Sequence, residues 1–195
     1  MKFPSPSPVT EEKIPVILYS SRMKHCEGAA RLLHTLKHIL AEREVKLIMT
    51  GEGSCLSEMK EIADEIGVAP NVEFRGNVTQ NELRMLYKKA DAYVHPATIS
   101  GASNRCYHEN AILTALAFHL PVIACGFTKF LRTLATENAG LLVRTGDCEA
   151  LAQYVLRALE DTELCEEMDQ NAHEHRRELE EAHTGPLETS TLVAS

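Results

Sequence analysis

Short, nearly uninterrupted apolar runs alternate along this chain with longer stretches whose apolar residues recur every three or four positions. The runs have strand length: Pro15–Ser20 (PVILYS), Val45–Thr50 (VKLIMT), Val72–Arg75, Ala92–His95, Val122–Cys125 and Leu141–Val143. A run that is apolar at successive rather than alternate positions marks a strand covered on both faces. Between the runs, Gly28–Glu44 carries Ala29, Leu32, Leu33, Leu36, Ile39 and Leu40 at helical spacing. Cys55–Ile66 reads as a second amphipathic helix, and Thr79-Gln80-Asn81-Glu82 is a capping box that opens a third, running to about Ala90. A short helix is expected near Phe130–Thr136. Asp147 caps another over Cys148–Leu159, and a single polar helix is expected from Thr162 to about Glu181. This alternation predicts an α/β fold: a Rossmann-like three-layer αβα domain whose mostly parallel sheet has about six strands. The domain is expected over 14–181, between a Pro/Ser-rich linker at 1–13 and a flexible tail at 182–195.

One stretch, Ile99–Gly126, carries the most chemistry. Small polar residues, Ser100-Gly101-Ala102-Ser103-Asn104, run into an apolar helix with Glu109 near its start, which turns at His119-Leu120-Pro121 into a buried strand. A small-residue loop feeding a helix N-terminus presents unpaired backbone N–H groups and the positive end of the dipole, which suits a phosphate. A carboxylate in the first turns repels phosphate but accepts hydrogen bonds from sugar hydroxyls. Together they suggest a nucleotide or a nucleotide-sugar. Ligands on parallel sheets lie at the carboxyl ends of the strands, where Ser21–Glu27, Gly51–Ser54 and Ile99–Asn104 leave the sheet. Gly51-Glu52-Gly53 lacks the third glycine of a dinucleotide fingerprint and reads as a turn lining the cleft.

Composition narrows the alternatives. Aromatic residues make up only 5% of the chain, so the core is expected to be aliphatic. The net charge of −8 is concentrated in 160–182, which holds ten acidic side chains against Arg176 and Arg177. The remainder is near neutral, and no basic face suggests nucleic acid. Six cysteines are scattered without a C-x-x-C pair and the N-terminus shows no apolar signal region, which favours free thiols and a cytoplasmic setting. The longest apolar stretch, 111–127, is broken by Thr114, His119 and Pro121 and is not a membrane span. His34 and His38, at i and i+4, have no evident third metal ligand and read as a surface pair. Cys106 and His108 do not face one another on a helix. His95 ends a strand beside the cleft and could touch a donor or an acceptor, or simply cap the strand; Cys125 reads as core.

The order of segments ILYSSRM, VKLIMTGEG, NVEFRGNVTQNELRMLYKKADAYVHPA, LPVIACG and AGLLVRTGDCEALA resembles the C-terminal, donor-binding half of GT-B glycosyltransferases, closest to retaining family 4, also called group 1. The likeness covers about residues 14–170. It implies a hexosyltransferase domain that binds a nucleotide diphosphate sugar as substrate, with no cofactor and no obligatory metal, beside an acceptor-binding half not included here. Such a chain would be inactive alone; its setting would be cytoplasmic, or membrane-peripheral through the missing half.

Within that resemblance, Ser21-Arg22-Met23 stands for Gly-Arg-Leu, so Arg22 matches a diphosphate-binding arginine. Cys26-Glu27-Gly28 stands for Glu-Lys-Gly, putting a carboxylate where a phosphate-binding lysine belongs, with Lys24 in the same loop. Counting back from Pro121 without gaps places the two motif acids at Cys106 and Thr114. Counting from the loop, Ser103-Asn104-x-x-x-x-Glu109-Asn110-Ala111 keeps Glu109 as the ribose-binding acid, with Gly101 at the first acid's place. The second register is preferred. The donor site it implies comprises Arg22, Lys24, Gly101, Ser103, Asn104 and Glu109, with the catalytic residues unassigned. A subunit of a split glycosyltransferase and a degenerate, non-catalytic module are the rival readings.

Overall fold

The six apolar runs form one sheet in the computed structural model, which describes residues 13–23, 26–96, 105–126 and 128–183, the side chains of 26 and 105–108 excepted. The strands are β1 (Val16–Ser20), β2 (Lys46–Thr50), β3 (Val72–Gly76), β4 (Ala92–His95), β5 (Val122–Cys125) and β6 (Leu141–Val143). All neighbours pair in parallel, in the order β3-β2-β1-β4-β5-β6. Every residue of β1, β4 and β5 is buried, which accounts for their unbroken apolar runs.

Alternate side chains leave the sheet to opposite faces. Ile17, Tyr19, Leu47 and Met49 meet α1 (Cys26–Glu42), α2 (Leu56–Glu65) and α6 (Cys148–Glu160) on one side. Val16, Leu18, Ile48 and Val122 meet the other cluster, built from α3 (Gln80–Lys89), α4 (Arg105–Ala117), α5 (Lys129–Thr136) and α8 (Arg176–Ala182). The three-layer αβα architecture follows. Tyr87 on α3 stacks on Tyr93 of β4 and on Phe118, and its hydroxyl donates to the Ala111 carbonyl at 3.2 Å, fixing α4 against the sheet.

Helix ends are written in the sequence. The Thr79 hydroxyl accepts from the Glu82 N–H at 3.3 Å, and the Glu82 carboxylate accepts from the Thr79 N–H at 2.7 Å, closing the capping box. The Thr79 backbone hydrogen bond, and then its hydroxyl, hold the Glu82 carboxyl below the usual carboxylate range. Thr79→Ala is expected to cost about 1 kcal/mol. Equilibrium urea unfolding checks this, and an unchanged midpoint would mean that the cap adds nothing. At the end of α4, His119 adopts φ 59 and the Leu120 N–H reaches the Ala115 carbonyl at 3.1 Å, so the helix stops before Pro121.

The polar C-terminal helix differs from expectation. It divides into α7 (Thr162–Glu174) and α8, with His175 between them at φ −98, ψ 21. The His175 ring lies with Nδ1 3.2 Å from Glu137 Oε2, and this turn lets α8 fold back to seat Leu179 and Ala182 beside α5. The linker residues 1–12 and the tail residues 184–195 lie outside the described residues. Of the two described residues that the sequence assigns to the tail, Ala182 is buried, and His183 is half-buried with its side chain turned inward. Cys125, Cys148 and Cys165 are free thiols. Cys55 is disulfide-bonded, with its partner outside the described side chains, so the expectation of free thiols throughout does not hold.

Candidate functional site

β1 has β2 on one side and β4 on the other, so the strand order reverses between β1 and β4. Open parallel sheets hold ligands outside the carboxyl ends of the strands at such a reversal, in the crevice it creates. Arg22, exposed, follows β1, and the chain after β4 leads to α4, whose second turn carries Glu109.

The loops after β1 and β2 are pressed together beside this crevice. The Ser21 N–H donates to the Thr50 carbonyl at 3.1 Å, and the Cys55 N–H to the Met23 carbonyl at 3.1 Å. Met23 is buried with φ 44, an uncommon conformation for a residue bearing a Cβ. Gly51, at φ +111, lies so close to Ser21 that an added Cβ would fall 1.6 Å from its carbonyl oxygen. The Glu52 carboxylate between the glycines accepts from Asn77 Nδ2 at 3.2 Å. Gly51-Glu52-Gly53 is therefore a turn that fixes the loop carrying Arg22.

Glu109 is 3% exposed. Its Oε2 lies 3.2 Å from Nδ1 of His183, the residue that closes α8. A carboxylate can only accept, so Nδ1 carries the proton. The ring meets Phe130 edge-on, with centroids 6.2 Å apart at 75°. Sequence reasoning missed His183, although Leu179, Ala182 and His183 continue one helical face at i, i+3 and i+4. Thr114, the acid's place in the ungapped register, lies buried with its hydroxyl donating to the Asn110 carbonyl at 2.8 Å.

Of the six residues expected in the donor site, Arg22 and Glu109 are described: Arg22 just after β1, and Glu109 in α4, the helix that follows β4. Lys24, Gly101, Ser103 and Asn104 lie outside the described residues. Glu27, in the first turn of α1, pairs with Arg31 at 3.8 Å, so its charge is partly balanced by its own helix. His95 ends β4 and is buried, as is Cys125 at the end of β5. His34 and His38 are exposed on α1. Among the described residues no three His, Cys, Asp or Glu side chains gather as a metal site, and no helix is long and apolar enough to cross a membrane.

The sheet order and the crevice at its reversal define a Rossmann-type α/β domain. Residues 4–175 match the family described as glycosyl transferases group 1, and the chain belongs to that family. It is 27% identical over 159 residues to an uncharacterized glycosyltransferase of Methanocaldococcus jannaschii, covering 80% of this chain and 39% of that one. Anabaena HepE, solved in complex with UDP and glucose, superposes with a TM-score of 0.71 at 20% identity, over 85% of this chain and 44% of that one. The C-terminal domain of LpcC, a group 1 glycosyl transferase family protein from Francisella tularensis, superposes at 0.66 and 18% identity, over 83% of each chain. The chain thus spans about two fifths of the curated relative it matches.

Proposed function

We propose that this chain is the donor-binding half of a retaining glycosyltransferase of the hexosyltransferase type. Glu109 carries the reading: a carboxylate buried in the second turn of α4, the helix that follows β4, while Arg22 follows the neighbouring β1. The likeness to a C-terminal domain over 83% of each chain supports the assignment to the donor half, and UDP with glucose on the Anabaena relative supports a nucleotide-sugar as donor.

In this reading Arg22, with Lys24, neutralises the charge that develops on the leaving diphosphate. Backbone N–H groups of the 99–104 loop and the α4 dipole add to it. Glu109 accepts hydrogen bonds from the ribose and so sets the orientation of the nucleotide. Acceptor and general-base groups belong to the other half, so the chain alone binds its donor without transferring it. Calorimetric titration with UDP, GDP and ADP tests the reading. One nucleotide should bind at micromolar to millimolar strength, while no binding by any of the three would favour a degenerate module or a docking subunit. Sugar transfer by the isolated chain would contradict the division of labour.

Glu27 opposes that donor. Glu27→Lys replaces a negative charge in the first turn of α1 with a positive one and removes the Glu27–Arg31 pair. The nucleotide that binds is expected to bind about threefold to tenfold tighter, as befits an exposed charge worth about 1 kcal/mol at close range. The same titration reads the effect, and unchanged affinity would place Glu27 away from the diphosphate.

A further inference from the structure

Resting on the donor-site reading, we propose that His183 is a positioning residue of that site: it fixes the Glu109 carboxylate for the ribose and so makes α8 part of the donor-binding machinery. The pair is largely shielded from water, with side-chain exposures of 1% for His183 and 4% for Glu109. The residue is held from two directions besides Glu109. Its backbone N–H donates to the carbonyls of Leu179 and Glu180 at 3.2 and 3.3 Å, and its ring stands edge-on against Phe130.

Packing alone does not explain a histidine here. Leu179 and Ala182 fill the same face of α8 with apolar side chains. Another apolar residue would close it without burying polar nitrogen. Nε2 is buried and has no hydrogen-bond partner among the described residues, so the contact with Glu109 and the Phe130 edge together orient the ring. The contact also restrains Glu109. A glutamate side chain has three rotatable bonds, and a fixed donor on one oxygen narrows the arrangements of the carboxylate before the ligand arrives. His183 itself touches no ligand in this account.

The test is calorimetric titration of the full chain with UDP, GDP and ADP and with their 2′,3′-dideoxy forms, which lack the hydroxyls that Glu109 would accept. His183→Ala is expected to weaken the ribonucleotide about tenfold and the dideoxynucleotide less than about twofold, as loss of one hydrogen bond to a charged group predicts. His183→Asn, whose amide N–H takes the place of Nδ1–H, should restore most of the affinity. His183→Gln, with its N–H one methylene further out, should not. If His183→Ala does not fold, the Asn and Gln variants carry the comparison, with circular dichroism as the check on folding.

Equal losses for both nucleotide forms would mean that His183 only holds the fold together, and would overturn the proposal. So would a ribonucleotide affinity that His183→Ala leaves intact while Glu109→Gln lowers it. Absence of nucleotide binding by the folded wild-type chain would instead remove the donor-site reading itself, and this role with it.

Discussion

Replacing Gly51 with alanine is expected to destabilise the domain by about 4 kcal/mol or more, an effect at the extreme of single substitutions. Two costs coincide there. The backbone stands at φ +111, which residues with a Cβ rarely adopt, and the new Cβ would fall 1.6 Å from the Ser21 carbonyl oxygen. The obstacle is backbone rather than a side chain that could turn away. The Gly51 N–H is itself bound to the Gly76 carbonyl at 2.7 Å, so the turn cannot slide aside without breaking the β2–β3 junction. Gly67 supplies the internal control: φ is +78, but nothing lies within 4 Å of its Cβ position. Gly67→Ala is therefore expected to cost only about 1 kcal/mol, the conformational part alone. Urea unfolding of both variants separates steric from conformational strain. Similar losses would show that the contact with Ser21 relaxes freely. A partly relaxed Gly51→Ala would carry its shift into the loop bearing Arg22, so folded material should also bind nucleotide more weakly.

The fold was legible because burial on both sides of a parallel sheet leaves a local signature. Val122–Cys125, Ala92–His95 and Leu141–Val143 are strands with the bounds that their apolar runs indicate. Thr79, Thr128 and Asp147 each cap a helix with a side-chain oxygen on the N–H three residues on. The break at His175 was not legible, because the turn between α7 and α8 answers to distant groups, Glu137 above all, and not to any local breaker such as proline or glycine. The site was legible by halves. Glu109 is marked by its place after a small-residue loop, yet nothing near it in the chain announces a partner 74 residues away. Cys55 shows the same limit: spacing argued for thiols, and a disulfide depends on proximity that spacing does not encode.

Glu109→Ala is expected to lower nucleotide affinity about fiftyfold or more, since two hydroxyl hydrogen bonds to a buried carboxylate would be lost together. It is also expected to destabilise the domain by about 2 kcal/mol, because the His183 Nδ1–H is left buried without its acceptor. Affinity and stability therefore fall together in this variant. Glu109→Gln separates them. Its amide has the carboxylate's shape and can still accept from His183 through its oxygen, so most of the stability should return. Its charge is gone and one face is now a donor, so ribose hydroxyls lose their best acceptor and affinity should remain about tenfold below wild type. Thermal unfolding beside calorimetric titration reads both quantities on the same samples. If Glu109→Gln binds as tightly as the wild-type chain, the carboxylate has no part in holding the donor and the loop-anchored register falls. The ungapped register would then be the one to pursue, although Thr114 spends its hydroxyl within α4 on the Asn110 carbonyl. A selective loss of affinity would instead join the crevice, the helix and the C-terminal histidine into one site.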